Sequence, residues 1–355
     1  MDNYVIMDTS PFVYSAMSRE NLKDLKYNNL PIGGLVHILR NLISDCAIYR
    51  EVMLCLDSKT FRKDIDGDYK KGRISRPDVY VQLDLLKRFL DELKLPYGKK
   101  DGYEADDVVY SYCEYLNYFN KASHIIIKGN DYDLLHNLDD KGKIEFEGIT
   151  RQVLDVDAFS IKNIYKGDLL INTKTPRNIF LGDGDYNKSF KLENGMTGRD
   201  LYNGYKEAVE KSSMDYITSR HEDTVREYVE FCGGTENDMK ELDRRIEIFY
   251  PKLLTDINFN SINKEMLKTQ QFLDMLYALG VDDLNKTYLL FGKKNDINTE
   301  SIINFLFRPN KGKNRFTAIL DEIARDYENG AYMVDNNLSF NDLESGYPSE
   351  FLEMF

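Results

Sequence analysis

The chain has 355 residues, 42% hydrophobic and 30% charged, a balance that excludes wholesale disorder and leaves room for two domains or more. Its 47 basic and 60 acidic side chains give a net charge of −13, which excludes coating of nucleic acid by bulk charge but leaves room for a local basic groove. No apolar run approaches ~18 residues, the first residues lack a basic-then-apolar leader, and Cys46, Cys55, Cys113 and Cys232 stand far apart with no CxxC pair. These features predict reduced thiols, a cytoplasmic location and no membrane span or zinc site.

Along the chain, residues 4–7 predict a first strand and residues 32–49 a helix, with Leu35, Leu39, Leu42 and Ile43 near helical spacing. Residues 52–56 predict a second strand, 83–95 a helix, and 104–116 a helix opened by Glu104. Residues 125–127 and 144–146 predict third and fourth strands. Strands alternating with helices imply an α/β fold with a parallel sheet covered on both faces. After about residue 190 the strand signals fade. Helices are predicted over 199–211, 221–232, 236–249 and 266–279. The expected division is 1–190, then a helical domain over 191–285, then an extension over 286–355 with a basic patch (Arg308, Lys311, Lys313, Arg315) and an acidic tail.

Carboxylates follow the strands in order. Asp8 follows the first, Asp57 the second, and Asp131 and Asp133 the third. Glu104, Asp106 and Asp107 open the helix between the second and third strands, and Gly182-Asp183-Gly184-Asp185 comes later. Ligands of a parallel sheet bind beyond the carboxyl ends of its strands, so these groups are expected to collect at one edge. Glu104 and Asp107 share a helix face; Asp106 joins them only if the chain is still entering the helix there. Each piece alone reads equally as a strand-end turn or as charge at a helix N-terminus. The ordered set is harder to explain that way. Unit charges ~4 Å apart repel by several kcal/mol at an effective dielectric of ~20. Divalent cations relieve that cost, and oxygen ligands without His or Cys select Mg²⁺ or Mn²⁺. Two such ions can cleave a phosphodiester.

Residues 59–76 carry seven basic side chains (Lys59, Arg62, Lys63, Lys70, Lys71, Arg73, Arg76) against Asp64, Asp66 and Asp68, a local charge of +4. A basic strip suits phosphates, and Tyr69 could stack on a base. A solvated charged helix is the plainer alternative.

In order, Val5-Ile6-Met7-Asp8, Leu56-Asp57 with Phe61-Arg62, Tyr69-Lys70-Lys71-Gly72-Arg73, Gly102-Tyr103-Glu104-Ala105-Asp106-Asp107, Asn130-Asp131-Tyr132-Asp133-Leu134-Leu135 and Leu181-Gly182-Asp183-Gly184-Asp185 resemble the flap endonuclease/5′→3′ exonuclease family. Within it the set is most similar to the small phage enzymes of the T-even ribonuclease H type. The resemblance covers about residues 1–210, and more loosely reaches 285. It implies a PIN-like twisted sheet flanked by helices, an arch over about 60–100 that admits a 5′ end, and a mostly α-helical C-terminal half. A helix–three-turn–helix grip on duplex DNA, with K⁺ at the hairpin, would fall at Gly195 to Arg199 and use Gly195 and Gly198.

By the same resemblance, Asp8, Asp57, Glu104 and Asp106, with Asp107 near, serve a first Mg²⁺ or Mn²⁺, and Asp131, Asp133, Asp183 and Asp185 a second. Arg62 and Lys70 act on the scissile phosphate beside the catalytic Asp106, and Lys63, Tyr69, Lys71 and Arg73 bind DNA. One alignment puts Gly129 where the family's first carboxylate after the third strand belongs, a two-residue slide uses Asp131 and Asp133 instead but breaks the match at Leu135, and Asp183-x-Asp185 stands for the family's Asp-x-x-Asp. Both departures touch the second metal site.

The resemblance implies a monomeric, metal-dependent nuclease that removes RNA primers or 5′ flaps in phage DNA replication, working in the bacterial host cytoplasm. The alternatives are an impaired branched-DNA-binding subunit and a PIN-type ribonuclease. Phe351, Leu352, Met354 and Phe355 form an apolar knob on an acidic stalk, expected to dock on a sliding clamp or a single-strand-binding protein.

Overall fold

The computed structural model describes residues 2–48, 50–71, 73, 76–131, 134, 137, 143–148, 153–154, 174–211, 222–280 and 314–333. In chain order the elements begin with β1 (Asp2–Asp8), α1 (Ser10–Met17), β2 (Lys26–Tyr27), β3 (Leu30–Pro31), α2 (Gly33–Ala47), β4 (Arg50–Cys55) and α3 (Arg62–Ile65). Next come α4 (Pro77–Leu93), α5 (Ala105–Tyr118), β5 (Ala122–Gly129), β6 (Ile144–Gly148) and β7 (Val153–Leu154). The described helices that follow are α6 (Lys174–Leu181), α7 (Gly198–Lys211), α8 (Glu222–Phe231), α9 (Glu236–Phe249), α10 (Lys264–Leu267), α11 (Gln270–Ala278) and α12 (Arg315–Glu328). No described helix is long and apolar enough to cross a membrane.

The chain forms two compact units. The first holds Met1–Lys59, Ile74–Gly129 and Thr255–Phe355; the second holds Thr60–Arg73 and Asn130–Leu254. Each is discontinuous along the chain. The reason lies in β4. Beyond the described helices of the second unit the chain returns, and Ile262 exchanges backbone hydrogen bonds with Val52 at 2.8 and 2.7 Å. That adds to the cover of the β4 edge, where Gly98 also bonds to Leu54 and Leu56 at 2.8 and 3.0 Å. Further on, Phe316 packs edge-on against Phe89 with centroids 5.3 Å apart, and the Tyr332 hydroxyl donates to Asp84 at 2.7 Å.

In the first unit β1 pairs in parallel with β4 and with β5; Val5 stands opposite Val52 on one side and Ile126 on the other. Val5, Ile6 and Met7 are fully buried. A strand covered on both faces reads as a continuous apolar run, which is why this element was legible in the sequence. Helix α1 was not anticipated. Its signal is Pro11 at the first helical turn, where the fixed φ suits a helix start. Gly34 of α2 lies so close to α1 that a Cβ there would stand 2.8 Å from Val13 Cα.

The stretch expected to arch over the site divides. Residues 60–73 belong to the second unit, whereas α4 buries Val81, Leu85, Leu86, Phe89 and Leu90 in the first. The helix expected over 266–279 is two. The first ends with Lys268 as its C-cap, and Thr269 opens the next by accepting the Phe272 N–H.

The second unit contains the antiparallel β6–β7 pair. Its core joins Phe180, Phe190, Leu201, Tyr205, Val225, Val229, Leu242 and Ile246, from α6, the loop after it, and α7, α8 and α9.

Candidate active site

In the first unit, β1 ends at Asp8, opposite Cys55 at the end of β4. The Thr9 hydroxyl donates to the Cys55 carbonyl at 2.8 Å, fixing how the chain leaves β1. Two residues past β4, Asp57 accepts the Ala105 N–H at 2.8 Å on one oxygen and the Ser10 hydroxyl on the other. The amide belongs to the first residue of α5, where the helix dipole favours a carboxylate.

Glu104 is the N-cap of α5, and Asp106 is the second residue of its first turn. Asp107 turns inward, fully buried, and accepts the Glu104 N–H at 3.0 Å. Asp106 is part-exposed. Burial, and then the charges of Asp8, Cys113, Asp106 and Asp57, push the Cys55 thiol well above its ordinary range. Asp8, Asp106 and Asp57 thus share one neighbourhood at the carboxyl edge of the strands, with Glu104 on the adjoining helix start.

The second unit holds an open cavity of about 800 Å³ whose lining includes Asp131, Asp183, Asp185, Arg177, Thr197 and Arg199. The loop after α6 shapes it. Gly182 has a left-handed backbone (φ 75°), and Asp183 accepts the amides of Asp185 and Tyr186 at 2.8 and 2.7 Å. Asp185 takes a two-pronged ion pair from Arg73, with Nε at 2.8 Å. Arg177 and Arg199 were not singled out in the sequence. Arg177 lies on the unanticipated α6, and Arg199 directly follows Gly198; a cation after a glycine at a helix start was the available signal.

The other basic-strip residues differ from one another. Arg62 is 3% exposed, and its guanidinium donates to the carbonyls of Ile248 and Tyr250 at 2.8 and 3.3 Å. Tyr69 is buried with Tyr186 and Ile248. These two expected phosphate and base contacts therefore lie in the unit's interior, because the strip packs on α9 rather than standing in solvent. Lys63, Lys71 and Arg73 are exposed and Lys70 is part-exposed. Gly195 has φ 97°, open only to glycine at low cost, and a Cβ on Gly198 would stand 2.7 Å from the Phe190 carbonyl oxygen. Packing alone therefore explains Gly198. Asp133, the patch residues Arg308, Lys311 and Lys313, and the tail residues Phe351, Leu352, Met354 and Phe355 lie outside the described residues.

The donor set is carboxylate oxygen without imidazole or thiolate, which fits a hard divalent cation. As they stand, no three His, Cys, Asp or Glu side chains among the described residues form a ready ligand cage. Asp57, Asp107, Asp183 and Asp185 are occupied by protein donors. Binding an ion requires some of these contacts to be exchanged.

Residues 3–163 match the family described as 5′-3′ exonuclease, N-terminal resolvase-like domain. The 5′-3′ exonuclease of Mycoplasma genitalium is 31% identical over 145 residues, 38% of this chain and 48% of that protein. The 5′-3′ exonuclease of Aquifex aeolicus is 34% identical over 139 residues, 38% and 47% respectively. The chain spans about half the length of these relatives. A structure of phage T5 5′-exonuclease with zinc bound aligns over 70% of this chain and all of its own, at 15% identity and a TM-score of 0.43. A score that low carries no weight beside the sequence match.

Proposed function

We propose that the chain is a divalent-cation-dependent 5′ nuclease that hydrolyses phosphodiesters in 5′-flapped DNA or RNA–DNA hybrids, as in the removal of primers or flaps during phage replication. The observation that carries this reading is that Asp8 ends β1 opposite Cys55 at the end of β4, while Asp57 just past β4 accepts the Ala105 N–H at the start of the helix that carries Asp106. The match of residues 3–163 to the 5′-3′ exonuclease N-terminal family supports it.

On this reading Asp8, Asp57, Glu104 and Asp106 hold one Mg²⁺ or Mn²⁺, and Asp131, Asp133, Asp183 and Asp185 a second, with Asp107 fixing the helix start that presents Glu104 and Asp106. Bound cations supply charge neutralisation and a water acidic enough to attack at neutral pH. The chain's own cations do the rest. Lys70 sits on the scissile phosphate. Lys63, Lys71, Arg177 and Arg199 hold flanking phosphates, which makes binding salt-dependent. Arg73 moves from Asp185 to phosphate when Asp185 turns to a cation.

The test is cleavage of a 5′-labelled flap with Mg²⁺, with Mn²⁺ and with EDTA, comparing the wild type with Asp106→Ala. Metal-dependent release of short 5′-phosphorylated products, lost in the variant, is expected. Equal activity in both at matched purity overturns the reading. Tight binding of branched DNA without cleavage under either metal replaces it with a DNA-binding role.

A further inference from the structure

Asp66 lies in the basic strip, yet it is 6% exposed and surrounded by donors. It accepts the Tyr186 hydroxyl at 2.6 Å and the Lys188 ammonium at 2.7 and 3.0 Å. Arg244 pairs with it at 2.6 Å, and the Asp68 amide donates at 2.9 Å. Tyr186 and Lys188 sit on the loop that carries Asp183 and Asp185. Arg244 sits on α9 and also donates to the Ile65 carbonyl at 3.2 Å. One carboxylate thus joins three stretches of the second unit that are distant in sequence.

The segment after Asp66 is held to the same loop. The Lys70 amide donates to the Asp185 carbonyl at 2.7 Å, and Arg73 pairs with the Asp185 carboxylate. Lys70 has φ 57°, a left-handed backbone that a side-chain-bearing residue keeps only where its surroundings hold it there. From the far side the fully buried Arg245 donates to the carbonyls of Ile179 and Lys188, which flank the loop, and lies over the Tyr186 ring. Asp66 and Arg245 both hold the loop through Tyr186 and Lys188.

We propose that Asp66 is a positioning residue of the 5′ nuclease, fastening the turn that presents Lys70 and Arg73 to the loop that presents Asp183 and Asp185. This rests on the nuclease reading above. Asp66 touches neither substrate nor cation. It acts by keeping a basic turn and an acidic loop in one register, so that phosphate and cation are met together. Burial raises its pKa, but the hydrogen bonds from Lys188 and Tyr186 outweigh that and hold the carboxyl well below its usual range, so it stays charged at working pH.

The test compares the wild type with Asp66→Asn and with the milder Tyr186→Phe, as full chains. Amide hydrogen exchange is read by peptide, and kcat and KM are read on a 5′-labelled flap with Mg²⁺. Asp66→Asn should raise exchange about tenfold or more in peptides covering 66–71 and 182–188 while the first unit keeps its wild-type rates. It should lower kcat about tenfold or more with KM within about twofold, measured at a temperature where circular dichroism shows the variant as fully folded as the wild type, so that unfolded enzyme does not account for the loss. If Asp66→Asn does not fold, Tyr186→Phe should show the same pattern at smaller amplitude. Unchanged exchange in those peptides, or raised exchange with wild-type kcat, overturns the proposal. A wild type without metal-dependent cleavage overturns the nuclease reading and the catalytic half of this one; the exchange rates then still decide whether Asp66 fastens the two segments.

Discussion

The Ala105 amide donates to Asp57 Oδ1 at 2.8 Å, so the residue that follows one strand caps the helix that leads to the next. This bond joins two of the motifs that read separately in the sequence. Asp57→Ala leaves that amide and the Ser10 hydroxyl without their acceptor. It is expected to cost about 1–3 kcal/mol of stability and to abolish cleavage. Asp57→Asn keeps the shape, and should recover most of the stability and little of the activity. Urea denaturation alongside the flap assay checks both.

Asp106 and Asp107 are adjacent but face differently, and their alanine variants should separate function from stability. Asp107→Ala removes the acceptor of the Glu104 amide in a fully buried position and is expected to cost about 1–2 kcal/mol. Asp106→Ala should leave the thermal midpoint within a degree or so and lower kcat by about a hundredfold or more. A reversed pattern would mean that the inward carboxylate is the working one.

Crowded carboxylates predict a metal-linked gain in stability. At about 100 times its dissociation constant, a cation that binds only the folded chain adds about 2.7 kcal/mol. Scanning calorimetry with increasing Mn²⁺ should show the melting temperature climbing. Asp8→Asn, at the end of β1, should flatten that rise, and a variant that climbs like the wild type would remove Asp8 from the ligand set.

Asp66 also predicts an acid sensitivity with a definite sign. Its folded pKa is depressed, so between that value and the unfolded value of ~3.9 the unfolded chain binds the extra proton. The stabilisation is complete above ~pH 5 and is lost as the pH falls through that window. Asp66→Asn should therefore be less stable than the wild type at pH 7, with the gap narrowing toward pH 3. Urea midpoints at the two pH values measure it.

Helix α12 lies more than 180 positions beyond the end of β5, yet it packs in the first unit. Phe316 is 3% exposed against Phe89. Phe316→Ala should cost about 3–5 kcal/mol. A loss below about 1 kcal/mol would show that α12 does not belong to that core.

Sequence alone determined the parallel strands β1, β4 and β5 and the acids that follow them. A central parallel strand must be apolar throughout, and its ligand edge is set by chain direction, so Val5 to Met7 and then Asp8 are readable locally. Helix α6, with Arg177, was not, because only tertiary burial distinguishes it from a loop. The inward turn of Asp107, the burial of Arg62 and Tyr69, and the hub at Asp66 were decided by tertiary structure alone. Each depends on partners far along the chain, 120 positions away for Tyr186 and Asp66 and 186 for Arg62 and Ile248. No local spacing encodes such a contact: a charged side chain written for solvent becomes structural only when folding brings donors or acceptors around it.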